Sequence, residues 1–191
     1  MGPLLLRTLN LDGDRQADLS VHGGPYKAMY GYPSEHYPLL GFVLGKVAAP
    51  GKIHAREFFA PETGGLFESD LHIGDRLRIG SAVLMARQPR VPCYKLVAKF
   101  QPDDMIDLFL RGGRSGFHFS VEQEGVVENG QAFEFLSHEP EAITIAEMNL
   151  LFATDKYNRT LVKRALATSA LPEDWRDHLA KRLTRAATVE R

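Results

Sequence analysis

The sequence has a single cysteine, Cys93, in 191 residues. An intramolecular disulfide needs a second thiol, so packing must stabilise the fold, as is typical of proteins in a reducing compartment. Long apolar runs are missing too: the first stretch, MGPLLLRTLNLDGDRQ, becomes charged after three leucines, and no later stretch reaches membrane length. These absences predict a cytoplasmic protein that neither spans a membrane nor is secreted.

A surplus of positive charge is also missing. Lysine and arginine number 23 against 24 aspartates and glutamates, which gives a formal net charge of -1. This balance argues against a nucleic-acid partner, because such proteins neutralise phosphates with clustered cations. With 44% hydrophobic and 25% charged residues, the chain can bury the core of one domain with an appendage, or of two small domains.

Up to about His138 the sequence is typical of a β-rich domain, with short apolar or alternating runs between Gly, Pro, Asn and Asp residues. The stretch DRLRIGSAVLMARQP predicts a hairpin that turns at Gly80-Ser81 and returns as a more buried strand ending at Gln88-Pro89. The stretch FHFSVEQEGVVENGQAFEFL predicts a second strand pair that turns at Asn129-Gly130. Cys93 is therefore expected just beyond the end of a strand.

Helices are predicted both within the sheet and after it. Ser34 to Leu44 follows the breaker Pro33, and Pro102 to Leu110 has helical apolar spacing. The pattern as a whole predicts a mixed, mainly β fold. A barrel or sandwich with inserted helices would occupy residues 1–138, and a small three-helix domain would occupy residues 139–191.

Each predicted tail helix has its own start signal. Thr144-Ile-Ala-Glu147 is a capping box, Asp155 can cap a second helix through Ala167, and Pro172 opens a third. The third helix has one apolar stripe, formed by Trp175, Leu179 and Leu183. No low-complexity linker precedes these helices, so we expect them to dock on the β-rich part.

Cys93, in QPRVPCYKL, is the first candidate for chemistry. Arg90 and Lys95 are near in sequence and prolines stiffen the segment, so a reactive or metal-binding thiolate is one interpretation. A buried core cysteine is the alternative, because free cysteines are often buried. Zinc is disfavoured at the thiol, since no Cys-x-x-Cys or His-x-x-x-His pattern accompanies it.

Two glycine-rich segments carry cations. In VHGGPYK, the Gly23-Gly24 pair lets backbone amides approach an anion, and His22 and Lys27 can supply charge. In RGGRSGF, Arg114 offers a planar fork for phosphate and Ser115 a hydroxyl donor. A tight turn is the alternative interpretation of each segment. Together with the thiol, the two segments would suit a ligand with an anionic phosphate and a soft metal.

The remaining polar residues give weaker signals. Glu35-His36-Tyr37 could form a proton relay, but adjacent helical residues point in different directions, so a surface or helix-start role is expected. No metal-ligand spacing is evident among the five other histidines, which are His54, His72, His118, His138 and His178. No Gly-x-Ser-x-Gly nucleophile elbow is present.

Three segments together resemble the MOSC domain, named for the carboxy-terminal domain of molybdenum cofactor sulfurases. They are GDRQADLSVHGGPYKAMYGYPSEHY (13–37), LHIGDRLRIGSAVLMARQPRVPCYKL (71–96) and GGRSGFHFSVEQEGVVENGQ (112–131). The sequence resembles in particular the stand-alone bacterial MOSC proteins of the N-hydroxylaminopurine reductase type, in which three helices follow the β domain. The resemblance implies a MOSC-type β-barrel domain and a molybdenum pterin cofactor.

By position, the resemblance also implies site residues. Cys93 would be the catalytic residue and the thiolate ligand of molybdenum. The cofactor or substrate side would be lined by His22, Gly23, Gly24 and Lys27. The pterin phosphate would be held, through charge-assisted bonds and exposed amides, by Arg90, Arg114, Ser115 and Gly116.

The implied activity is the reduction of N-hydroxylated bases such as 6-N-hydroxylaminopurine, a detoxification in which the cofactor takes the oxygen and the protein orients the reactants. No flavin, nicotinamide or iron-sulfur motif is visible, so an external flavoprotein or iron-sulfur protein is the expected electron donor. Whether the protein forms a homodimer stays open. Two other functions also stay open: sulfur transfer through a persulfide on Cys93, and a non-catalytic molybdenum-cofactor-binding module.

The sequence departs from the family pattern at two places. The segment EFFAPETGGLFESDLHIGD has no Phe-Gly-Glu-Asn type tetrad before its Ile-Gly-Asp strand, and Tyr26 stands where an acidic residue is common. The tetrad would contribute acid and amide groups to the pocket. Its absence therefore concerns substrate binding more than the fold, and it motivates the non-catalytic alternative.

Overall fold

The computed structural model describes residues 2–14, 23–36, 66–94, 104–128 and 130–189. The strands in these ranges are β1 (Leu4–Leu6), β2 (Met29–Gly31), β3 (Arg76–Ile79), β4 (Ala82–Pro89), β5 (Phe117–Gln123), β6 (Gly125–Val127) and β7 (Glu134–Ser137). The helices are α1 (Met105–Gly112), α2 (Ile145–Ala153), α3 (Arg159–Ala167) and α4 (Glu173–Val189). Short 3-10 turns lie at Pro25–Lys27 and Ser34–His36.

Five strands form an antiparallel sheet in the order β2-β5-β4-β3-β7, and β1 pairs separately with β6. The predicted hairpin is confirmed: Arg76 pairs with Met85 and Ile79 with Ala82, around Gly80 at φ 56°. β3 alternates exposed arginines with buried aliphatic residues, whereas β4 is buried along most of its length. The face of the hairpin that carries Leu77, Ile79 and Leu84 therefore belongs to the core.

The predicted mixed, mainly β fold with a helical tail is confirmed, but the described strands do not close into a barrel. The sheet they form is open, because its edge strands β2 and β7 do not pair with each other. In the part of the chain that the structure describes, no helix combines the length and the apolarity needed to cross a membrane.

The predicted pairing across Asn129-Gly130 is wrong. β5 pairs with β2 on one side and β4 on the other, whereas β7 pairs with β3. A strand has only two edges, and both edges of β5 are occupied, by β2 and β4, while its Phe117 and Phe119 are completely buried. The intervening β6 pairs with β1, and Asn129 itself lies outside the described residues.

The predicted helix starts are confirmed for α2 and α4. Thr144 Oγ1 accepts the Glu147 N–H at 3.0 Å, and the Glu147 carboxylate accepts the Thr144 N–H at 2.9 Å, which completes the capping box. α4 follows Pro172 directly. Its apolar stripe faces the core as expected, with Trp175, Leu179 and Leu183 packed there.

Other helix predictions need correction. α3 begins after Asn158, whose side chain accepts the Leu161 N–H at 3.0 Å, and not after Asp155. Asp155 accepts a hydrogen bond from the Asn158 side chain at 2.7 Å, within a turn that delays the helix. α1 starts at Met105 rather than Pro102. Of the predicted helix 34–44, residues 34–36 form a 3-10 turn and the rest lies outside the described residues.

The tail helices pack on the sheet through both apolar and polar contacts. The Trp175 indole N–H donates to the Gln88 side-chain oxygen at 3.1 Å, and the ring lies 5.7 Å from that of Phe152. The Arg87 guanidinium donates to the Ala170 carbonyl at 3.1 Å. One continuous core includes residues of β3, β4, α2 and α4. The predicted docking is thus confirmed, while the domain boundary after His138 stays a prediction.

Candidate functional site

The ends of β4 and β5 bring two of the predicted site segments together. Pro89, the last residue of β4, pairs with Phe117, the first residue of β5. One step further on, the Arg90 N–H donates to the Gly116 carbonyl oxygen at 3.3 Å. The segment after β4, which carries Cys93, therefore begins beside the segment that precedes β5.

The Gly-Gly turn precedes β2, whose antiparallel pairing with β5 places Gly31 opposite Phe117 and leaves the turn on the Phe119 side. Gly24 has φ 97°, a conformation that suits glycine, and its carbonyl accepts the Lys27 N–H at 3.1 Å. β2 follows this turn and pairs with β5, so that Tyr30 lies opposite His118. This places Lys27 close enough to His118 for its charge to act on the imidazole.

The charges of two cations act on the imidazole of His118. Burial lowers the pKa of His118 from 6.5 to about 3, and the positive charges of Arg90 and Lys27 contribute to this lowering. A hydrogen bond with the Met29 backbone acts in the opposite direction and raises this pKa. Its Nδ1 is buried and has no hydrogen-bond partner among the described residues. At neutral pH the imidazole is therefore uncharged, and the surrounding positive field favours an anion.

Arg90 is held over an aromatic ring. Its guanidinium carbon lies 4.9 Å from the ring centroid of Tyr30, and that ring lies 5.3 Å from the ring of His118. The Tyr30 hydroxyl donates to the Ser115 carbonyl at 2.7 Å, which fixes the ring. A stacked guanidinium is constrained in orientation and keeps its N–H donors in its own plane, an arrangement suited to phosphate.

A buried carboxylate supports the loop before β5. Glu68 accepts the Gly116 N–H at 2.8 Å through one oxygen and faces His36 Nε2 at 2.8 Å through the other. Glu68 and His36 are 5% and 7% exposed, so the pair is internal. Gly116 has φ 68°, and a Cβ there would lie 2.5 Å from the Gly31 carbonyl oxygen. The site loop is thus fixed both by charge and by lack of space.

The helical tail contributes to the same loop. Ser115 is buried, its hydroxyl donates to the Gly116 carbonyl at 2.7 Å, and it accepts from the Asn149 side chain of α2 at 2.8 Å. Asn149 also donates to the Gly113 carbonyl at 3.1 Å. The Ser115 hydroxyl and the Gly116 N–H are therefore engaged within the protein, and the role of both residues as phosphate ligands stays a prediction.

Cys93 carries a free, half-buried thiol. It lies three residues beyond Arg90, at most about 11 Å away along the chain. Its neighbour Tyr94 is 70% exposed, and Val91 is 41% exposed. The thiol therefore lies near the surface and is no part of the enclosed core, which leaves it accessible to a ligand.

The remaining predicted residues lie at the margin of this site or outside the described ranges. Arg114 is exposed, and Gly23 and Gly24 are half-buried. His22 lies outside the described residues, as does the stretch 57–65 in which the missing tetrad would fall. The metal and cofactor roles of all these residues stay predictions.

Sequence reasoning missed several residues of the site. Of the surface or helix-start role expected for His36, the surface part is wrong, because the residue is buried against Glu68, although it lies in the 3-10 turn Ser34–His36. His36, Glu68 and Asn149 had no sequence signal, since each contacts a residue distant in the chain. His118 had one: in the alternating stretch FHFS it is a titratable residue that faces opposite to the apolar Phe117 and Phe119.

The family models agree with this architecture. The MOSC domain matches residues 18–134, and the YiiM-like, 3-alpha helix domain matches residues 143–186. The chain therefore belongs to the MOSC domain family and carries a YiiM-like three-helix domain. MOSC domains are associated with binding of the molybdenum cofactor.

Individual relatives extend the match over nearly the whole chain. The uncharacterized protein YflK of Bacillus subtilis is 37% identical over 98% of this chain and 83% of its own length, and protein YiiM of Escherichia coli is 34% identical over 95% and 80%. The crystal structure of YiiM from Geobacillus stearothermophilus superposes with a TM-score of 0.78 at 30% identity, covering 95% of this chain and 85% of that chain. A protein of Gibberella moniliformis named "Reductase" is 28% identical over 71% of this chain but only 24% of its own length.

Proposed function

We propose that this protein is a molybdenum-cofactor-dependent reductase of N-hydroxylated compounds, with bases such as 6-N-hydroxylaminopurine as substrates. The observation that supports the proposal most is that the charges of Arg90 and Lys27 both act on His118, which pairs with Gln88 near the end of β4 from which the Cys93 segment departs. The MOSC family membership and the distant relative named as a reductase point in the same direction.

The residues of this site fit a molybdenum pterin in two respects. Cys93 offers a half-buried thiol, and thiolates are soft ligands that suit transition metals. The pterin phosphate is an anion, and the two cations that act on His118 create a positive field that favours it. The buried Nδ1 atom of His118 is one further polar atom in this field. A bound ligand would supply the hydrogen bond that Nδ1 lacks among the described residues.

Each of these residues then has its own task. Cys93 would hold the metal, while Arg90 and Lys27 would bind the phosphate, Arg90 with its orientation set by Tyr30. Glu68 and Asn149 would keep the loop before β5 in place through Gly116 and Ser115, respectively, and so preserve the spacing between the two segments. When bound, the cofactor supplies the oxygen transfer, and the protein contributes orientation and electrostatics.

Electrons must come from outside this chain in the proposed reaction. Reduction of an N-hydroxylamine to the amine consumes an electron pair and protons and releases water. The sequence has one cysteine and no Gly-x-Gly-x-x-Gly pattern, so it offers neither an iron-sulfur ligand set nor a nicotinamide site. We therefore propose a separate flavoprotein or iron-sulfur protein as the donor.

The test is the molybdenum-to-protein ratio together with the fluorescence of the released, oxidised pterin. We expect native protein from a molybdate-supplied host to contain both. Cys93→Ser should lose the metal, because a hydroxyl is a poor soft-metal ligand. Arg90→Gln should weaken pterin binding about tenfold or more and so lower the pterin content, since a charge-assisted hydrogen bond is worth about 1.5–3 kcal/mol. Arg78→Gln is the matched control, because Arg78 lies half exposed on β3 and pairs with Glu134.

Substrate assays complete the test and separate the alternatives. With a competent electron donor, native protein should reduce 6-N-hydroxylaminopurine and Cys93→Ser should not. Full molybdenum content in Cys93→Ser would contradict the ligand role. Cyanide-releasable sulfur on native Cys93 without molybdenum would favour sulfur transfer, and bound pterin without reduction would favour the binding module.

A further inference from the structure

A second cluster of ligating side chains lies where the β-rich part meets the connection to α2. His72 and Asp75 precede β3, and His138 follows β7. The backbone of His72 forms an antiparallel bridge with Thr144, the residue that caps α2. The cluster thus joins two segments whose members Asp75 and His138 are 63 residues apart in sequence.

Asp75 is fixed at the centre of the cluster. It is fully buried, and its carboxylate accepts the His72 N–H at 2.8 Å and the Glu139 N–H at 2.7 Å. Two backbone amides therefore determine the orientation of the carboxylate. Each carboxylate oxygen has more than one lone pair, so these bonds leave capacity for a further ligand.

Both histidine rings present Nδ1 to this carboxylate. His138 Nδ1 lies 3.1 Å from Asp75, within hydrogen-bond distance, and His72 Nδ1 lies 3.7 Å away. One ligand atom from each of the three residues lies within 4.8 Å of the others. The rings meet edge to face with centroids 4.5 Å apart. Such convergence of two imidazoles on one buried carboxylate is the arrangement that a transition-metal site requires.

The Nδ1 atom of His72 is not accounted for by hydrogen bonding. It is buried and has no hydrogen-bond partner within the described residues, because 3.7 Å is too long for a hydrogen bond. An unsatisfied buried nitrogen is destabilising, and this one faces two other ligand atoms. A cation between the three groups would satisfy it.

We propose that His72, Asp75 and His138 form a binding site for a divalent transition metal ion, with Zn²⁺ as the representative ion. In a tetrahedral zinc site with ligand bonds of about 2.0–2.2 Å, neighbouring ligand atoms lie about 3.3–3.6 Å apart, and the observed separations of 3.1 and 3.7 Å fall on either side of that range. Imidazole ligands favour zinc, nickel or copper over calcium and magnesium, which prefer oxygen.

The site has an opening on one side. The His138 side chain is 45% exposed, whereas that of His72 is 14% exposed and that of Asp75 is buried. Water can therefore complete the coordination from the His138 side. The two backbone amides on Asp75 act as supports that orient the ligand, as is typical around protein metal ions. A bound ion would tie the start of β3 to the connection before α2.

In the experiment, chelator-treated native protein is titrated with Zn²⁺ alone and binding is measured by calorimetry. A second titration with Co²⁺ is monitored through the visible absorption of the bound ion. We expect one ion per chain and an increase in the thermal unfolding temperature on Zn²⁺ addition. His138→Ala should weaken binding about tenfold or more and should fold, because its side chain is half exposed. His178→Ala, an exposed histidine on α4, and Cys93→Ser should bind as the native protein does.

Several outcomes would overturn the proposal. Native protein without saturable Zn²⁺ binding overturns it whatever the variants do. Native-like affinity in both His138→Ala and His72→Ala overturns it as well. If binding is lost in Cys93→Ser and retained in the histidine variants, the metal belongs to the thiol and not to this cluster. The readout is metal binding, so the result is independent of the proposed reductase activity.

Discussion

Burial gives His118 a lower pKa than that of an exposed histidine. Its imidazole is neutral at physiological pH because desolvation and the neighbouring charges of Arg90 and Lys27 oppose protonation. Arg90 and Lys27 were recognisable in the sequence as cations next to glycines or prolines. Their common neighbour His118 was not recognisable, because only the pairing of β2 with β5 brings it opposite Tyr30.

The depressed pKa of His118 predicts acid sensitivity. Between pH 6.5 and about 3 the unfolded chain binds a proton that the folded chain does not, so the free energy of unfolding falls as the pH falls through this window. Between pH 7 and pH 4.5, native protein should lose about 2 kcal/mol more than His118→Gln. Urea denaturation at both pH values measures this difference. His178→Gln, exposed on α4, should behave as native, and parallel pH dependence of native protein and His118→Gln would contradict the assignment.

At the scale of elements, the site depends on where strands end and how the following loops are held. β4 stops at Pro89 and β5 starts at Phe117, and the loop between α1 and β5 contains two glycines at positive φ, Gly113 and Gly116. Gly113 ends α1 in open space, whereas Gly116 is enclosed by β2. These two glycines therefore share a positive φ, but only Gly116 also lacks space for a Cβ.

This contrast predicts unequal costs for the same substitution. Gly113→Ala should destabilise by about 1–2 kcal/mol, the cost of a left-handed conformation in a residue with a Cβ. Gly116→Ala should cost about 3 kcal/mol or more, because the added Cβ would lie 2.5 Å from the Gly31 carbonyl oxygen and 2.6 Å from the Tyr30 hydroxyl. Chemical denaturation of both variants measures the difference. Equal destabilisation would show that β2 moves to make room for the added Cβ, and that the loop before β5 is less tightly held than we infer.

At the scale of the whole molecule, the sheet and the tail helices share one core. Trp175, the only tryptophan in the chain, lies at their contact, with its indole bonded to Gln88 of β4 and its ring against Phe152 of α2. Asn149 of α2 also reaches the site loop. Loss of the helices would therefore affect both the core and the site.

The shared core predicts a single cooperative unfolding transition. Tryptophan fluorescence reports the contact between helices and sheet, and far-UV circular dichroism reports the secondary structure of the whole chain. Because separating the helices would expose the buried Trp175 and Leu179, both signals should give the same urea midpoint. Trp175→Phe serves as the control that assigns the fluorescence signal. A fluorescence midpoint well below that of circular dichroism would mean that the helices detach first.

The sequence by itself determined the local elements and the chemical candidates of this protein. Four features depend on neighbouring residues, whose spacing is visible in the sequence. They are the β3-β4 hairpin, the capping box of α2, the apolar stripe of α4 and the MOSC segment around Cys93. The tertiary structure alone decided which strands pair, as when β5 pairs with β2 and β4 and β7 with β3. It also decided that Glu68 meets His36 and Gly116, and that His72, Asp75 and His138 converge. The physical reason is that these contacts join residues far apart in sequence, so the partners of each side chain are settled only after the chain has folded.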